Sequence, residues 1–502
     1  MKIRSRNLHP RRGRSGRLPA ALVAAATASV AFGGDGLDPL IPDQVILKLA
    51  EDASLEAVVQ ELAPVAPGIH AADEIPGRRI HQLRFELQDG APPDGLEPAL
   101  AGMVAAGTLI WSEFGYQAQT GEGRTDSLWV TGLDLGADQY HGQFVRELLG
   151  LQAAHALTRG SGVVVAVLDT GLDLTHPLIE GPISAAALDL VDGLPSITDP
   201  TDGIDNDADG LVDEMAGHGT FVASLVQLVA PEATLLPIRI LDTEGRTDIF
   251  LMAKGIAAAI DGGAQVINMS LGSTYKSVAV EDLTDEAAHS GVVVVASIGN
   301  LDRDAPEEYP AADNGAFGVV ATGPADLRAP FSNYGDFAAI SAPGTVALAG
   351  KAGVDPNLSV LGAIPGGGVG GWAGTSFSTA LVSAAAALVR AAHPEWPNAA
   401  VPLSDLADAV MEPLLLHAVP IDAINPGFEG LLGAGRLDVA AAIKASPPQN
   451  PADLDGDGSV DGVDLTIVLA AWGPCNNCPA DIDGNGMVDG VDLTEVLAGW
   501  TG

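Results

Sequence analysis

At 502 residues the chain is long enough for about three domains of ordinary size, and 47% hydrophobic residues with 4% aromatics and 61 glycines describe a packed, Ala/Gly/Val-rich protein and exclude a disordered one. The formal charge is −41, and seven of the 24 basic residues lie in the first 17 positions, so the remainder sets 17 basic side chains against 65 acidic ones. Such a surface repels phosphate backbones and anionic membranes, which argues against nucleic acid as a partner and makes calcium the natural counter-ion.

The chain opens on a basic stretch followed by an apolar run at 18–32, in which Ser29-Val30-Ala31 offers a small-x-small cleavage site. Residues 1–31 therefore read as an export signal and the protein as secreted; a membrane anchor, the other reading of such a start, needs roughly 20 apolar residues, more than this run supplies. No later segment reads as transmembrane. Between 43 and 119, strand-like runs at 45–49, 82–87 and 108–114 and helical runs at 55–62 and 96–106 make a small α/β unit. Residues 120–140, rich in Gly, Asp and Thr with little periodicity, read as a linker and processing region. From 141 to 445, short apolar runs at 163–168, 234–240, 266–269, 292–296 and 317–321 are separated by helix-length segments, the pattern of a parallel sheet covered by helices on both faces. A Pro-rich linker at 446–452 leads to 453–502, where PADLDGDGSVDGVDLTIVLAAW and PADIDGNGMVDGVDLTEVLAGW repeat at an offset of 28 residues.

Three segments carry chemistry. The buried-strand run ending at Asp169 places a carboxylate at the carboxyl edge of a parallel sheet, where α/β sites form, although such an acid also serves as a turn or cap. His218 precedes an apolar helical run. Ser376 stands at the start of a long Ala-rich helix, a place that suits an N-cap serine and equally a nucleophile whose developing negative charge the helix terminus favours.

The order Asp, His, Ser, with LDTG around Asp169, HGTFVAS around His218 and GTSFSTA around Ser376, resembles the subtilisin family of serine proteases. Asn268-Met269-Ser270-Leu271-Gly272 is similar to that family's substrate-binding strand, Gly299-Asn300 to its oxyanion asparagine, and Tyr309-Pro310-Ala311, Phe331-Ser332-Asn333-Tyr334-Gly335 and Ala342-Pro343-Gly344 also fit. The resemblance covers about 300 of the 502 residues. It implies a subtilisin-like three-layer α/β fold with a mostly parallel central sheet, and an endopeptidase acting on protein or peptide substrates. Asp169, His218 and Ser376 would be its triad, Asn300 its oxyanion donor and Ser270, Leu271 and Gly272 its substrate strand. Residues 43–119 resemble the family's inhibitory propeptide, an independent accessory domain being the alternative. Ala380 stands where the family often has proline, and Ser297-Ile298 replaces the usual small pair before Gly299. The glycine-rich stretch at 366–371 follows no clear strand and opens no helix, so it reads as a flexible loop and not a nucleotide cradle.

In the repeats, Asp453, Asp455, Asp457, Asp461 and Asp464 occupy positions 1, 3, 5, 9 and 12 of a loop, with Gly458 at the turn and Ser459 offering its carbonyl at position 7. Asp481, Asp483, Asn485, Asp489 and Asp492 repeat the spacing, with Gly486 at the turn and Met487 as carbonyl donor. Calcium is the ligand such loops wrap. Aspartate at position 12, where EF-hands carry glutamate, and the helix-like run after each loop resemble a dockerin, which implies a cohesin-type scaffold as partner; a calcium-stabilised terminal domain without a partner is the alternative. A third acidic run, with Asp205, Asp207, Asp209 and Asp213, lacks an acid at position 12 and is an irregular calcium loop or a solvated one. The two cysteines, Cys475 and Cys478, fit a small local disulfide better than a redox or zinc site. Two further classes stay open: a catalytically inactive subtilisin-like binding module on a dockerin, and a carbohydrate-active enzyme. The second lacks evident paired carboxylates and, with five Tyr and six Trp, has few rings for sugar stacking.

Overall fold

The computed structural model describes residues 39–124, 130–131, 135–193, 197–198, 201, 203–205, 210–347, 355, 357–444, 452, 454, 460–475, 478, 480–482 and 486–500; the export signal at 1–31 and most of the 446–452 linker lie outside them. The amino-terminal part comprises Leu40–Leu49 (β1), Leu55–Leu62 (α1), His70–Ile75 (β2), Ile80–Arg84 (β3), Leu96–Ala106 (α2) and Leu109–Gln119 (β4). β1 runs antiparallel to both β3 and β4. Alternate residues of β1 serve two cores, because successive side chains of a strand point to opposite faces. Val45, Leu47 and Leu49 pack with α1 and α2, whereas Ile46, with Ile75, Ile80 and Trp111, joins the core of the larger body. β2 escapes the sequence pattern because most of its side chains are exposed.

The larger body is built on Val164–Asp169 (β5), Leu188–Asp189 (β6), Thr234–Arg239 (β7), Arg246–Asp248 (β8), Val266–Met269 (β9), Val293–Ser297 (β10), Ala316–Thr322 (β11) and Ala338–Pro343 (β12). Seven of these form one parallel sheet in the order β12-β11-β10-β9-β5-β7-β6, while β8 pairs with β4 and carries the amino-terminal sheet onto this body. The main helices are His218–Val229 (α3), Ile249–Asp261 (α4), Val278–His289 (α5) and Thr375–Ala392 (α6). Val165 and Val167 face the core that holds α3 and α6; Ala166 and Leu168 face the one that holds α4 and α5. Burial on both faces is why β5 reads as a continuous apolar run. Among the described residues α6 is the one helix long and apolar enough to cross a membrane, and it lies in the core.

One expectation is corrected. The glycine-rich stretch at 366–371 is not a flexible loop: Leu361–Ile364 (β13) and Gly368–Gly371 (β14) form an antiparallel hairpin around Gly366 and Gly367, whose φ angles are +84° and +82°. The three-residue connection Pro365-Gly366-Gly367 turns through left-handed angles that glycine supplies at no steric cost, but glycine also erases the side-chain alternation by which a strand is read. Val130–Thr131, inside the expected linker, pairs with β14.

In the carboxyl-terminal repeats Gly462–Ala470 (α7) and Gly490–Ala498 (α8) follow the two loops. Their shared core is a symmetric set, Ala452, Val460 and Val468 from one repeat with Ala480, Val488 and Val496 from the other. Cys475 and Cys478 are joined by a disulfide.

Candidate active site

β5 ends on Asp169, which is 1% exposed. Thr170 N donates to its Oδ1 at 2.8 Å, and His218 Nδ1 lies 2.7 Å from the same oxygen. With Nδ1 donating to the carboxylate, Nε2 is the ring atom left for chemistry. His218 is the first residue of α3, which can start this close to β5 only because residue 219 is glycine: a Cβ there would lie 2.2 Å from the Gly171 carbonyl and 3.1 Å from Asp169 Cβ.

Ser376 is the second residue of α6 and fully buried. Its Oγ lies 3.0 Å from the Ser270 carbonyl and donates to Glu122 Oε2 at 2.7 Å. Asn300 lies beyond the end of β10. Its Oδ1 accepts from Thr375 N at 3.0 Å and from Thr375 Oγ1 at 2.9 Å, which turns Nδ2 to donate to Glu122 Oε1 at 3.1 Å. Trp372 and Phe377 stand with ring centroids 5.4 and 5.5 Å from that of His218.

Glu122 is the residue that the sequence reading passed over. Its carboxylate is fully buried, touches Ser376 and Asn300, and lies 3.4 Å from His218 Nε2. Gly374 makes room for it, since a Cβ at 374 would sit 1.6 Å from Glu122 Oε1. Burial works against the charge on both groups. It is outweighed for His218, whose pKa rises because Asp169 and Glu122 flank it, and for Glu122, whose pKa falls through His218 and the Ser376 hydroxyl. The imidazole is therefore held as a cation between two carboxylates, a form that cannot accept a proton. The available signal was a lone acid between two glycines, Gly121-Glu122-Gly123, directly after a strand.

The residues leading to Glu122 lie along the expected substrate strand. Gln119 exchanges both main-chain hydrogen bonds with Gly272, each 3.0 Å, and Thr120 N donates to the Gly245 carbonyl at 2.9 Å. Ser270 Oγ donates to the Ser376 carbonyl at 2.9 Å, and the Leu271 side chain is buried in the core, so this segment offers its main chain to the cleft.

The expected calcium ligands are in part outside the described residues: Asp207, Asp209, Asp453, Asp455, Asp457, Ser459, Asp483 and Asn485. Among the described residues no three His, Cys, Asp or Glu side chains converge as a metal cluster. Asp481 Oδ2 accepts from Gly486 N at 2.9 Å, and Asp205 Oδ2 accepts from Gly210 N at 3.0 Å; in each aspartate the other oxygen is buried with no hydrogen-bond partner. Asp213 accepts from Gly203 N at 2.9 Å. Asp464 and Asp492 accept from Leu454 N and Ile482 N, and from the N–H groups of Asp461 and Asp489, which in turn cap α7 and α8. Met487 opens the short strand Met487–Val488.

A parallel sheet with aspartate, histidine and serine drawn together at one edge is an arrangement that serine peptidases use. The chain belongs to the subtilase family, whose model matches residues 160–435, more than half of the sequence. Subtilisin BL of Lederbergia lenta is 36% identical over 294 residues, 57% of this chain and 92% of that protein. Subtilisin NAT of Bacillus subtilis subsp. natto is 34% identical over 254 residues, 48% of this chain but 59% of that relative, so the match spans little more than half its length. Fervidolysin from Fervidobacterium pennivorans, a keratinolytic enzyme related to subtilisin, aligns over 84% of this chain and 63% of its own with a TM-score of 0.59; at 20% identity this is a likeness of fold. The expectation of a subtilisin-like α/β fold around a large parallel sheet holds.

Proposed function

We propose that this chain is a secreted serine endopeptidase made as a self-inhibited precursor. Ser376 Oγ attacks the scissile carbonyl while His218 takes its proton, and Asn300 Nδ2 with the Ser376 backbone N–H meets the oxyanion. Collapse breaks the C–N bond and His218 returns the proton to the leaving amine; water then attacks the acyl ester by the same route and frees Ser376. Asp169 fixes the imidazole tautomer and stabilises its charged form. Substrates add a strand along the main chain of Ser270 and Gly272, which explains how peptides of varied sequence bind. The observation that supports this reading most is the Glu122 carboxylate, gripped by Ser376 Oγ and Asn300 Nδ2 beside His218 as a carboxylate product would be.

In this reading residues 1–31 direct export, and residues 43–119 are a propeptide that delivers the following segment to Ser376, which cuts it between 115 and 140. The loops around Asp205 and Asp481 fit calcium, each leaving one buried carboxylate oxygen for a cation. Calcium there would hold the acidic loops together and takes no part in the chemistry. Residues 453–502 would tether the protease to a cohesin-type scaffold. A serine-directed phosphonate tests the catalytic reading: labelling should rise as the amino-terminal unit is cut away, and be absent in Ser376→Ala. Protein that is processed but never labelled would be an inactive binding module.

A further inference from the structure

Two residues beyond Glu122, Arg124 reaches a second buried carboxylate. Its Nη1 donates to Glu308 Oε1 at 2.6 Å and lies 2.9 Å from Oε2, and its Nη2 donates to the Gly272 carbonyl at 2.9 Å. The two side chains are 4% and 3% exposed. Glu308 stands between two glycines: a Cβ on Gly272 would lie 2.7 Å from its Cγ, and one on Gly299 3.3 Å from its Oε2. Gly272 is two residues past Ser270, whose carbonyl touches Ser376 Oγ, and Gly299 directly precedes Asn300. The slot floored by Glu308 therefore opens beside the oxyanion donors. A residue whose carbonyl met those donors would have this slot within reach of its side chain.

A buried carboxylate is costly unless it is paired, and a guanidinium, with its planar fork, pairs it through two N–H groups at once. A leucine in the same slot would remove the guanidinium that pairs the carboxylate here. We propose that Glu308 selects substrates carrying arginine immediately before the scissile bond, and that Arg124 is the first such arginine the enzyme meets. The proposal rests on the peptidase reading above. Hydrolysis would break the C–N bond after the arginine and consume one water, leaving an arginine carboxylate and a new amine. In the described state Glu122 still holds Asn300 and Ser376, so Arg124 is in its slot before its carbonyl has reached the oxyanion donors. A formal charge of −41 draws in basic peptides as well. Between 115 and 151 the only Arg or Lys residues are Arg124 and Arg146, and Arg146 lies within the helix Phe144–Leu148, so self-processing should leave a new amino terminus at residue 125.

The test compares kcat/KM of the self-processed full chain on two fluorogenic peptides that differ only in arginine or leucine before the scissile bond, in wild type and in Glu308→Gln. Wild type should favour arginine by at least about 10²-fold, since a site with a buried polar group rejects side chains that leave it unpaired. In Glu308→Gln that ratio should fall by about tenfold or more. The ratio within one protein does not depend on how much of it is active, and a glutamate that only fastens the precursor would leave it unmoved. Equal rates on the two peptides in wild type, or an unchanged ratio in the variant, would overturn the specificity and leave the peptidase reading standing. Failure of both peptides together with failure of phosphonate labelling would overturn both. If Glu308→Gln does not fold, Arg124→Gln asks the same of the precursor: the terminus at 125 should be lost, and its persistence would refute the proposal.

Discussion

The two ends of the described chain are held in opposite ways. The amino-terminal sheet shares a hydrophobic core with the larger body through Ile46, Ile75, Ile80 and Trp111 and is riveted to its helices. Arg78 pairs with Asp261 and Glu286, Lys48 with Asp282, and the buried Glu113 accepts from Ser277 Oγ, Val278 N and Ala279 N at the start of α5. The carboxyl-terminal repeats keep a small core of their own. Much of what a domain of such size normally gains from apolar burial is missing there, and metals commonly supply the difference. On the proposed reading, the first unit would be carried by the larger body until it is cut away, and the second would stand apart once calcium filled its loops.

The largest effect that would sharpen this contrast is at Ser376. Ser376→Ala should lower turnover by about 10⁶-fold, as loss of the triad serine does in subtilisin, a relative of this chain. It should also accumulate as folded, unprocessed precursor, because one hydroxyl at a helix start costs at most about 1–2 kcal/mol. Wild type made alongside should show a new amino terminus between Gly115 and Leu151, read by terminal sequencing. The same terminus recovered from purified Ser376→Ala would mean that another protease does the cutting. Asn300→Ala comes next: turnover should fall by about 10²–10³-fold with KM nearly unchanged, a range known from the equivalent change in subtilisin. Wild-type turnover in that variant would move the oxyanion donor elsewhere.

A smaller effect is expected at Glu122. Glu122→Gln keeps the shape of the plug and removes its charge, so the precursor should process itself several-fold faster in a time course at neutral pH. The pH dependence carries a definite sign. Although burial opposes its charge, His218 has its pKa raised by Asp169 and then by Glu122, so the stability it lends relative to the unfolded chain is complete below the ordinary value of 6.5 and is lost as pH climbs through the raised one; the share owed to Glu122 is the part that undocking removes. Glu122 has its pKa lowered, so its share is lost as pH falls through the depressed value. Wild-type latency should therefore be tightest between these limits and relax toward alkaline pH. Processing of the same rate in Glu122→Gln as in wild type would remove the carboxylate from the account of latency.

How much of this was legible in the sequence depended on whether a residue sat on a patterned element. Asp169, His218 and Ser376 each occupy the end of an apolar strand or the start of an apolar helix, so the period that reveals the element also locates the side chain. Glu122 and Glu308 lie in stretches with no such period, and their partners are 254 and 184 residues away in Ser376 and Arg124. Nothing local marks such an acid as buried. The hairpin of β13 and β14 was lost for a related reason, since five glycines among residues 366–371 leave Val369 as the one side chain there and nothing to alternate with it.

Removing calcium should have the smallest consequence for catalysis and the most local one for structure, and it tests the carboxyl-terminal half of the contrast. In Asp481 one carboxylate oxygen is buried without a partner, and in the repeats as a whole the spaced aspartates repel one another unless a cation gathers them. Binding is then folding free energy for this unit, whereas α6 and the parallel sheet have a core that no cation completes. Hydrogen exchange of the full chain, followed by mass spectrometry with calcium and with a chelator, reads both regions at once. Amides at 460–475 and 486–500 should lose protection on chelation while those of Thr375–Ala392 keep theirs, with any change near 203–205 and 210–213 reporting on the third loop. Equal protection of the repeats under the two conditions would show that their small core and the Cys475–Cys478 disulfide suffice to order them, and the calcium assignment of those loops would fall.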